Sequence, residues 1–164
     1  MKNTILVVDD ESSIREALSK VLRGEDYDVV SAANGQEAIE KLKSEKIDLL
    51  LLDLGLPVKD GWGTVIWLAQ VNPLLPIIIM TGRWNQRELA NRMGADALMD
   101  KPLDVPRLLQ TIRELINEPM NLRAQRASRR ASSFRYVPCD DQVLREMSRE
   151  RLTTPNLCSD PKAP

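Results

Sequence analysis

One alternation recurs five times along the first two-thirds of this chain: a short apolar run of strand length, then a stretch with helical periodicity. The runs are TILVV (4–8), YDVVSA (27–32), DLLLLD (48–53), PIIIM (76–80) and ALM (97–99). Three of them are apolar throughout rather than alternating, as parallel strands are when both sheet faces are covered. Between the runs, Ile14, Ala17, Leu18, Val21 and Leu22 follow one helical face, with Ser12 or Ser13 as the expected cap. Ala38, Ile39 and Leu42 continue the pattern after Asn34, and Val65, Ile66 and Ala69 mark a third helix ending near Asn72-Pro73. Leu89, Ala90 and Met93 mark a fourth, stopped by Gly94. Val105, Leu108, Leu109, Ile112, Leu115 and Ile116 mark the fifth and strongest. The spacing predicts a doubly wound α/β fold, (βα)5, around a five-stranded parallel sheet with right-handed crossovers.

In such sheets functional groups gather beyond the carboxyl ends of the strands, near the switch in strand order. Here the first run ends in Asp9 and Asp10 and the third in Asp53. The fourth ends in Thr81-Gly82 and the fifth in Asp100-Lys101-Pro102. Only the second exits without chemistry, which predicts an edge strand. Gathering carboxylates at one rim opposes stability, because like charges repel and resist desolvation. A bound cation removes that penalty. Without histidine or thiolate in the set, the hard oxygen donors suit Mg²⁺.

Lys101 adds a positive charge across the cleft, so the site suits a phosphoryl group whose oxygens Mg²⁺ and the ammonium neutralise. A carboxylate can itself be the nucleophile and form an acyl phosphate. Thr81 supplies a hydroxyl, Gly82 leaves the approach open, and the Lys101-Pro102 peptide is a candidate for the cis form. Each residue also has a plain structural reading. Asp10 can cap the first helix, Asp53 can be a loop acid, Lys101 a surface lysine and Thr81 an ordinary strand-end threonine. Their convergence favours the chemical one. The chain has no histidine, which excludes Ser-His-Asp and Cys-His catalysis and any role as a phosphohistidine donor.

The blocks VVDDE, LLLLDLGLPVKDGWG, IIIMTG and GADALMDKP resemble, in order and spacing, the signature of the receiver domain of two-component response regulators. The resemblance covers residues 3 to about 118 and implies a flavodoxin-like sheet of order 2-1-3-4-5. It implies that Asp53 is the phosphoacceptor, that Asp10 binds Mg²⁺ directly and Asp9 mostly through water. The Gly55 backbone carbonyl would be a further ligand, and Thr81 and Lys101 match the switch hydroxyl and the paired lysine. The donor would be a phosphohistidine on a sensor histidine kinase or phosphotransfer protein. A phosphorylation-dependent homodimer through the fourth helix, fifth strand and fifth helix would also follow. Two positions depart from the pattern. Leu98 stands where the family usually has an aromatic residue three before the lysine, so the aromatic half of the switch is missing. Gly63 replaces a polar helix-starting residue.

Residues 119–164 are of a different character. The first 118 residues carry 14 basic and 19 acidic side chains, the remainder nine and five, so a net −5 is followed by a net +4. With five prolines and the arginine cluster NLRAQRASRRASSFRY, this part reads as a basic, mostly disordered tail with one short helix over 141–152. Such a tail is either solvated or bound to an anionic partner such as nucleic acid, an acidic protein face or the acidic receiver itself. Cys139 and Cys158 read as free thiols, and Trp62, Trp67 and Trp84 as packing residues, with Arg83 and Trp84 close enough to the site to tune phosphoryl lifetime. No membrane span and no signal peptide is recognisable, so a cytoplasmic setting is expected.

The function expected is a phosphorylation-controlled interaction module rather than an enzyme. The variants are a switch for a protein target, a phosphorelay intermediate and a phosphate sink. The rival class is the Mg²⁺-dependent aspartyl-phosphate phosphatase of haloacid-dehalogenase type. Its nucleophile lies in a DxD element after the first strand, whereas here the candidate follows the third. A nucleotide-binding protein lacks support, because acids replace the GxGxxG or GxxxxGK loop after the first strand.

Overall fold

The computed structural model describes residues 2–56, 60–82, 86–128 and 134–138. Strands β1 (Thr4–Val8), β2 (Asp28–Ala32), β3 (Leu49–Asp53), β4 (Ile77–Thr81) and β5 (Ala97–Asp100) alternate with helices α1 (Ser12–Gly24), α2 (Gly35–Ser44), α3 (Asp60–Val71), α4 (Arg87–Met93) and α5 (Val105–Ile116). All strands pair in parallel, in the order β2-β1-β3-β4-β5 with a further strand, β6 (Arg135–Val137), outside β5. The doubly wound α/β architecture and the edge position of β2 are those the alternation predicts.

The strand period of two divides the apolar runs between the faces. Leu6, Val8, Leu50, Leu52, Ile77, Ile79 and Leu98 face α2, α3 and α4, meeting Ala38, Val65, Leu68 and Ala90. Ile5, Val7, Leu49, Leu51, Ile78, Met80 and Met99 face α1 and α5, meeting Leu18, Leu22, Leu108, Ile112 and Leu115. Among the described residues, two helix starts carry side-chain caps. Asn34 accepts from the Glu37 amide while the Glu37 carboxylate accepts from the Ala33 amide, a reciprocal pair at the head of α2. Asp104 caps α5 by accepting from the Arg107 amide. The cap expected from Ser12 or Ser13 is not formed. Both serines lie inside α1, and Glu11 holds the cap position without a side-chain bond, because the chain turns one residue earlier to bring Asp9 to the rim. Gly94, at φ 89°, ends α4 in the left-handed conformation.

Beyond residue 118, within the stretch expected to be a mostly disordered tail, two further elements are described. Helix α6 (Met120–Ser128) and β6 are formed. Arg123 donates through one guanidinium nitrogen to the carbonyls of Leu115 and Ile116, satisfying acceptors that the last turn of α5 leaves open. Neither element shows in the sequence, because α6 has a weak apolar face and a three-residue strand has no readable period. The helix expected over 141–152, together with Arg83, Trp84, Cys139 and Cys158, lies outside the described residues, as does the side chain of Trp62. Trp67 packs against the core, with the Lys43 ammonium 5.6 Å from its ring centre. No helix among the described residues is long and apolar enough to cross a membrane.

Gly63 lies within α3, and a Cβ there would meet no atom within 4 Å. Gly63→Ala should therefore stabilise the protein by about 0.5–1 kcal/mol, by lowering the entropy of the unfolded chain. Urea unfolding should register it as a raised midpoint with an unchanged slope. A lowered midpoint would show that α3 does need the backbone freedom that glycine gives there.

Candidate functional site

Four strand ends converge because all the strands run the same way. Val8 is the register partner of Leu52, so Asp9 and Asp53 leave neighbouring strands at the same level. Asp53 pairs with Met80 across β3 and β4, and Thr81 with Asp100 across β4 and β5. Lys101, the next residue, is joined back to β4 by its amide, which donates to the Thr81 carbonyl at 2.7 Å. The Lys101-Pro102 peptide is cis.

Asp9 is fully buried, Asp53 nearly so, and Asp10 is exposed. One carboxylate oxygen from each lies within 4.8 Å of the others. The Lys101 ammonium spans two of them, donating to Asp53 Oδ2 at 2.7 Å and to Asp9 Oδ2 at 2.8 Å. The remaining oxygens of these two carboxylates accept from backbone amides. Asp53 Oδ1 takes the Gly55 amide at 2.7 Å, and Asp9 Oδ1 the Glu11 amide at 2.9 Å. Burial pulls the Lys101 ammonium toward neutrality, but the hydrogen bonds and charges of Asp53 and Asp9 outweigh it. Its pKa stands above the ordinary lysine value of 10.5.

Three formal negative charges against one positive leave two negative charges at the rim, the balance a divalent cation would close. The donor set is all oxygen, which suits Mg²⁺, and a spread of 4.8 Å can be drawn into a six-oxygen shell at roughly 2.1 Å by small side-chain rotations. Space at the rim is kept by Gly55. A Cβ at that position would lie 2.7 Å from Asp53 Oδ2, so any side chain there would crowd the carboxylate. Thr81 is buried at the tip of β4, on the Lys101 side of Asp53.

The structure thus brings together Asp9, Asp10, Asp53, Gly55, Thr81 and Lys101, the set singled out in the sequence. It adds Arg15, which the sequence reading passed over. From α1 its guanidinium donates to the backbone carbonyls of Asp9 (2.7 Å) and Asp10 (3.1 Å), pinning the loop that carries both acids. No local signal marks it, since an arginine on the polar face of a helix reads as solvated. Leu98, at the position where the family usually has an aromatic residue, is 1% exposed and part of the core.

Residues 5–113 match the family described as the response regulator receiver domain. The alkaline phosphatase synthesis transcriptional regulatory protein PhoP of Bacillus subtilis is 40% identical over 104 residues, covering 62% of this chain and 43% of that protein. The transcriptional regulatory protein ZraR of Salmonella typhimurium is 32% identical over 152 residues, 90% of this chain and 34% of that protein. The chain therefore spans less than half the length of either relative. Among solved structures, the response regulator protein TrrA of Thermotoga maritima in complex with Mg²⁺ and BeF is 33% identical. Its TM-score is 0.65, over 70% of this chain and 99% of that one. The chemotaxis response regulator CheY4 of Vibrio cholerae is 28% identical with a TM-score of 0.63, over 70% and 99% of the two chains.

Lys101 is the counter-charge of two buried carboxylates, so Lys101→Met should destabilise the protein in EDTA by about 3 kcal/mol, the scale of breaking a buried ion pair from one side. Because the folded-state pKa is raised, the ammonium's contribution is fully present below the unfolded value of 10.5 and is lost as pH rises through the higher folded value. Urea titrations from neutral to alkaline pH should show that loss in the parent and not in Lys101→Met. Equal stability of the two proteins at neutral pH would mean that the carboxylates do not need the ammonium.

Proposed function

This chain belongs to the response regulator receiver domain family, and on that premise we propose that it accepts a phosphoryl group on Asp53 from a phosphohistidine donor and thereby switches a protein-interaction surface. The observation that carries the proposal is the setting of the Asp53 carboxylate. It is nearly buried at the tip of β3, 2.7 Å from the Lys101 ammonium and beside Asp9 and Asp10.

In the transfer, a carboxylate oxygen of Asp53 attacks the phosphorus of the donor. An O–P bond forms and the P–N bond breaks, its electron pair staying with the imidazole nitrogen, which takes up a proton. The Gly55 amide fixes the orientation of the carboxylate through Oδ1. Lys101 already stands where negative charge would collect, so it can follow a phosphoryl oxygen without crossing the site. Asp10, Asp53 and the Gly55 carbonyl would hold Mg²⁺, with Asp9 reaching it through water. The ion when bound would offset the repulsion between the acidic rim and the incoming phosphoryl oxygens. The hydroxyl of Thr81 is assigned to a phosphoryl oxygen once the acyl phosphate exists. Arg15 positions the acid pair through its backbone and touches no reacting atom.

The donor proposed is a sensor histidine kinase or phosphotransfer protein in the cytoplasm. Residues 1–118 are proposed as the phosphoacceptor unit. Its output goes to a downstream protein, or to a second copy, through the face formed by α4, β5 and α5. Leu98 is packed in the core there, so a signal across this face needs a carrier other than an aromatic at that position. Relay or sink activity would use the same chemistry with a second acceptor. The named relatives act as transcriptional regulatory proteins, but their output is theirs.

Incubation with acetyl phosphate and Mg²⁺ should add one acid-stable, base-labile phosphoryl group, read by intact mass. Asp53→Asn should gain none, and Asp10→Asn should need at least tenfold more Mg²⁺ for the same extent, in the range typical of a disturbed metal site. Turnover of unrelated phosphate esters, or labelling that survives in Asp53→Asn, would overturn the assignment.

A further inference from the structure

Strand β6 lies along the outer edge of β5, pairing Arg135 with Ala97, Tyr136 with Leu98 and Val137 with Met99. We propose that β6 is a detachable strap, held on β5 while Asp53 is free and released when Asp53 carries a phosphoryl group. Its release uncovers the outer edge of β5. The proposal rests on Asp53 being the phosphoacceptor.

The strap is short and its fastenings are exposed. Three residues make few ladder bonds, one of them the Arg135 amide to the Asp96 carbonyl at 3.0 Å. Side chains from three elements hold it in place. The Arg135 guanidinium pairs with Glu114 of α5, the Tyr136 hydroxyl donates to Asp100 Oδ2 at 2.6 Å, and the Arg87 guanidinium of α4 lies 5.2 Å over the Tyr136 ring. The ring is 37% exposed, and the Arg135–Glu114 pair is 40% and 45% exposed. Ion pairs in such settings hold weakly. Phe134 and Val137 rest on the two core faces, so the strap is both apolar enough to dock and slight enough to leave.

One of its polar fastenings lies next to the site. Asp100, which accepts from Tyr136, immediately precedes Lys101, which bridges Asp9 and Asp53. Asp100 is moreover the register partner of Thr81, and the Lys101 amide is bonded to the Thr81 carbonyl. A phosphoryl group on Asp53 takes the ammonium away from its present carboxylate partner and engages the tip of β4. Both changes occur within one residue of the acceptor that holds Tyr136. The coupling therefore needs no long path. It needs two states of one weakly held strand whose balance the phosphoryl group biases. Once β6 leaves, β5 presents unpaired backbone groups along that edge.

Hydrogen exchange of the full chain, read by mass spectrometry over residues 134–138, tests this with and without Mg²⁺ and beryllofluoride. Exchange should quicken at least tenfold on loading and be independent of protein concentration before it. Tyr136→Phe keeps the ring and loses only the hydroxyl. It should exchange rapidly in both states while still gaining one phosphoryl group from acetyl phosphate. Unchanged exchange in a protein that does take up the phosphoryl group would overturn the strap alone. Failure to take it up would overturn the reading of Asp53 and the trigger with it. Protection that falls on dilution would place the strand on a second copy, and parent-like protection in unloaded Tyr136→Phe would remove the fastening; either result overturns the proposal.

Discussion

The Lys101 ammonium, bonded at 2.7 and 2.8 Å to carboxylates from two different strands, is the contact on which the arrangement of the site depends. Two buried acids a few ångströms apart would repel each other and lack hydration. The ammonium supplies a shared partner, and two backbone amides take the oxygens left over. This holds Asp53 ready in one orientation while leaving two negative charges unmatched at the rim. The site is thus settled enough to fold and unsettled enough to seek a cation and an electrophile. That combination is what the proposed chemistry requires.

The convergence is a property of the sheet before it is a property of any side chain. Parallel strands joined by right-handed crossovers bring every carboxyl end to one side, so Asp9, Asp53, Thr81 and Lys101 meet although up to 92 residues separate them along the chain. Both cores support that rim by leaving the strands no freedom to slip. A shift of one residue would exchange the leucines of β3 between the two faces and turn Asp53 inward. The second fixed point is Arg15, which ties α1 to the loop bearing the acid pair through carbonyls rather than charge.

The segment beyond α5 adds to the edge of the sheet beside β5. Helix α6 closes the end of α5 through Arg123, and β6 takes the edge of β5 that a five-stranded sheet would leave open. Any partner using that edge meets a strand of the same chain first. Leu98 is the register partner of Tyr136, so an aromatic residue stands beside it on the neighbouring strand. The site and the edge strand share one short stretch, Asp100-Lys101.

Much of this was legible in the residues themselves. The apolar runs are long enough, and the helical faces periodic enough, that local pattern decides the (βα)5 order; the acids, threonine and lysine stand at run ends, where a parallel sheet must bring them together. What only the tertiary structure decided has no local signature. Arg15 works through carbonyls its sequence neighbours do not reveal, Glu11 replaces the expected serine cap because the loop is drawn toward the rim, and α6 and β6 form because α5 and β5 offer them surfaces. Periodicity reports how a segment buries its own apolar side chains. It is silent on a three-residue strand or a weakly amphipathic helix, whose stability comes from the partner it docks on.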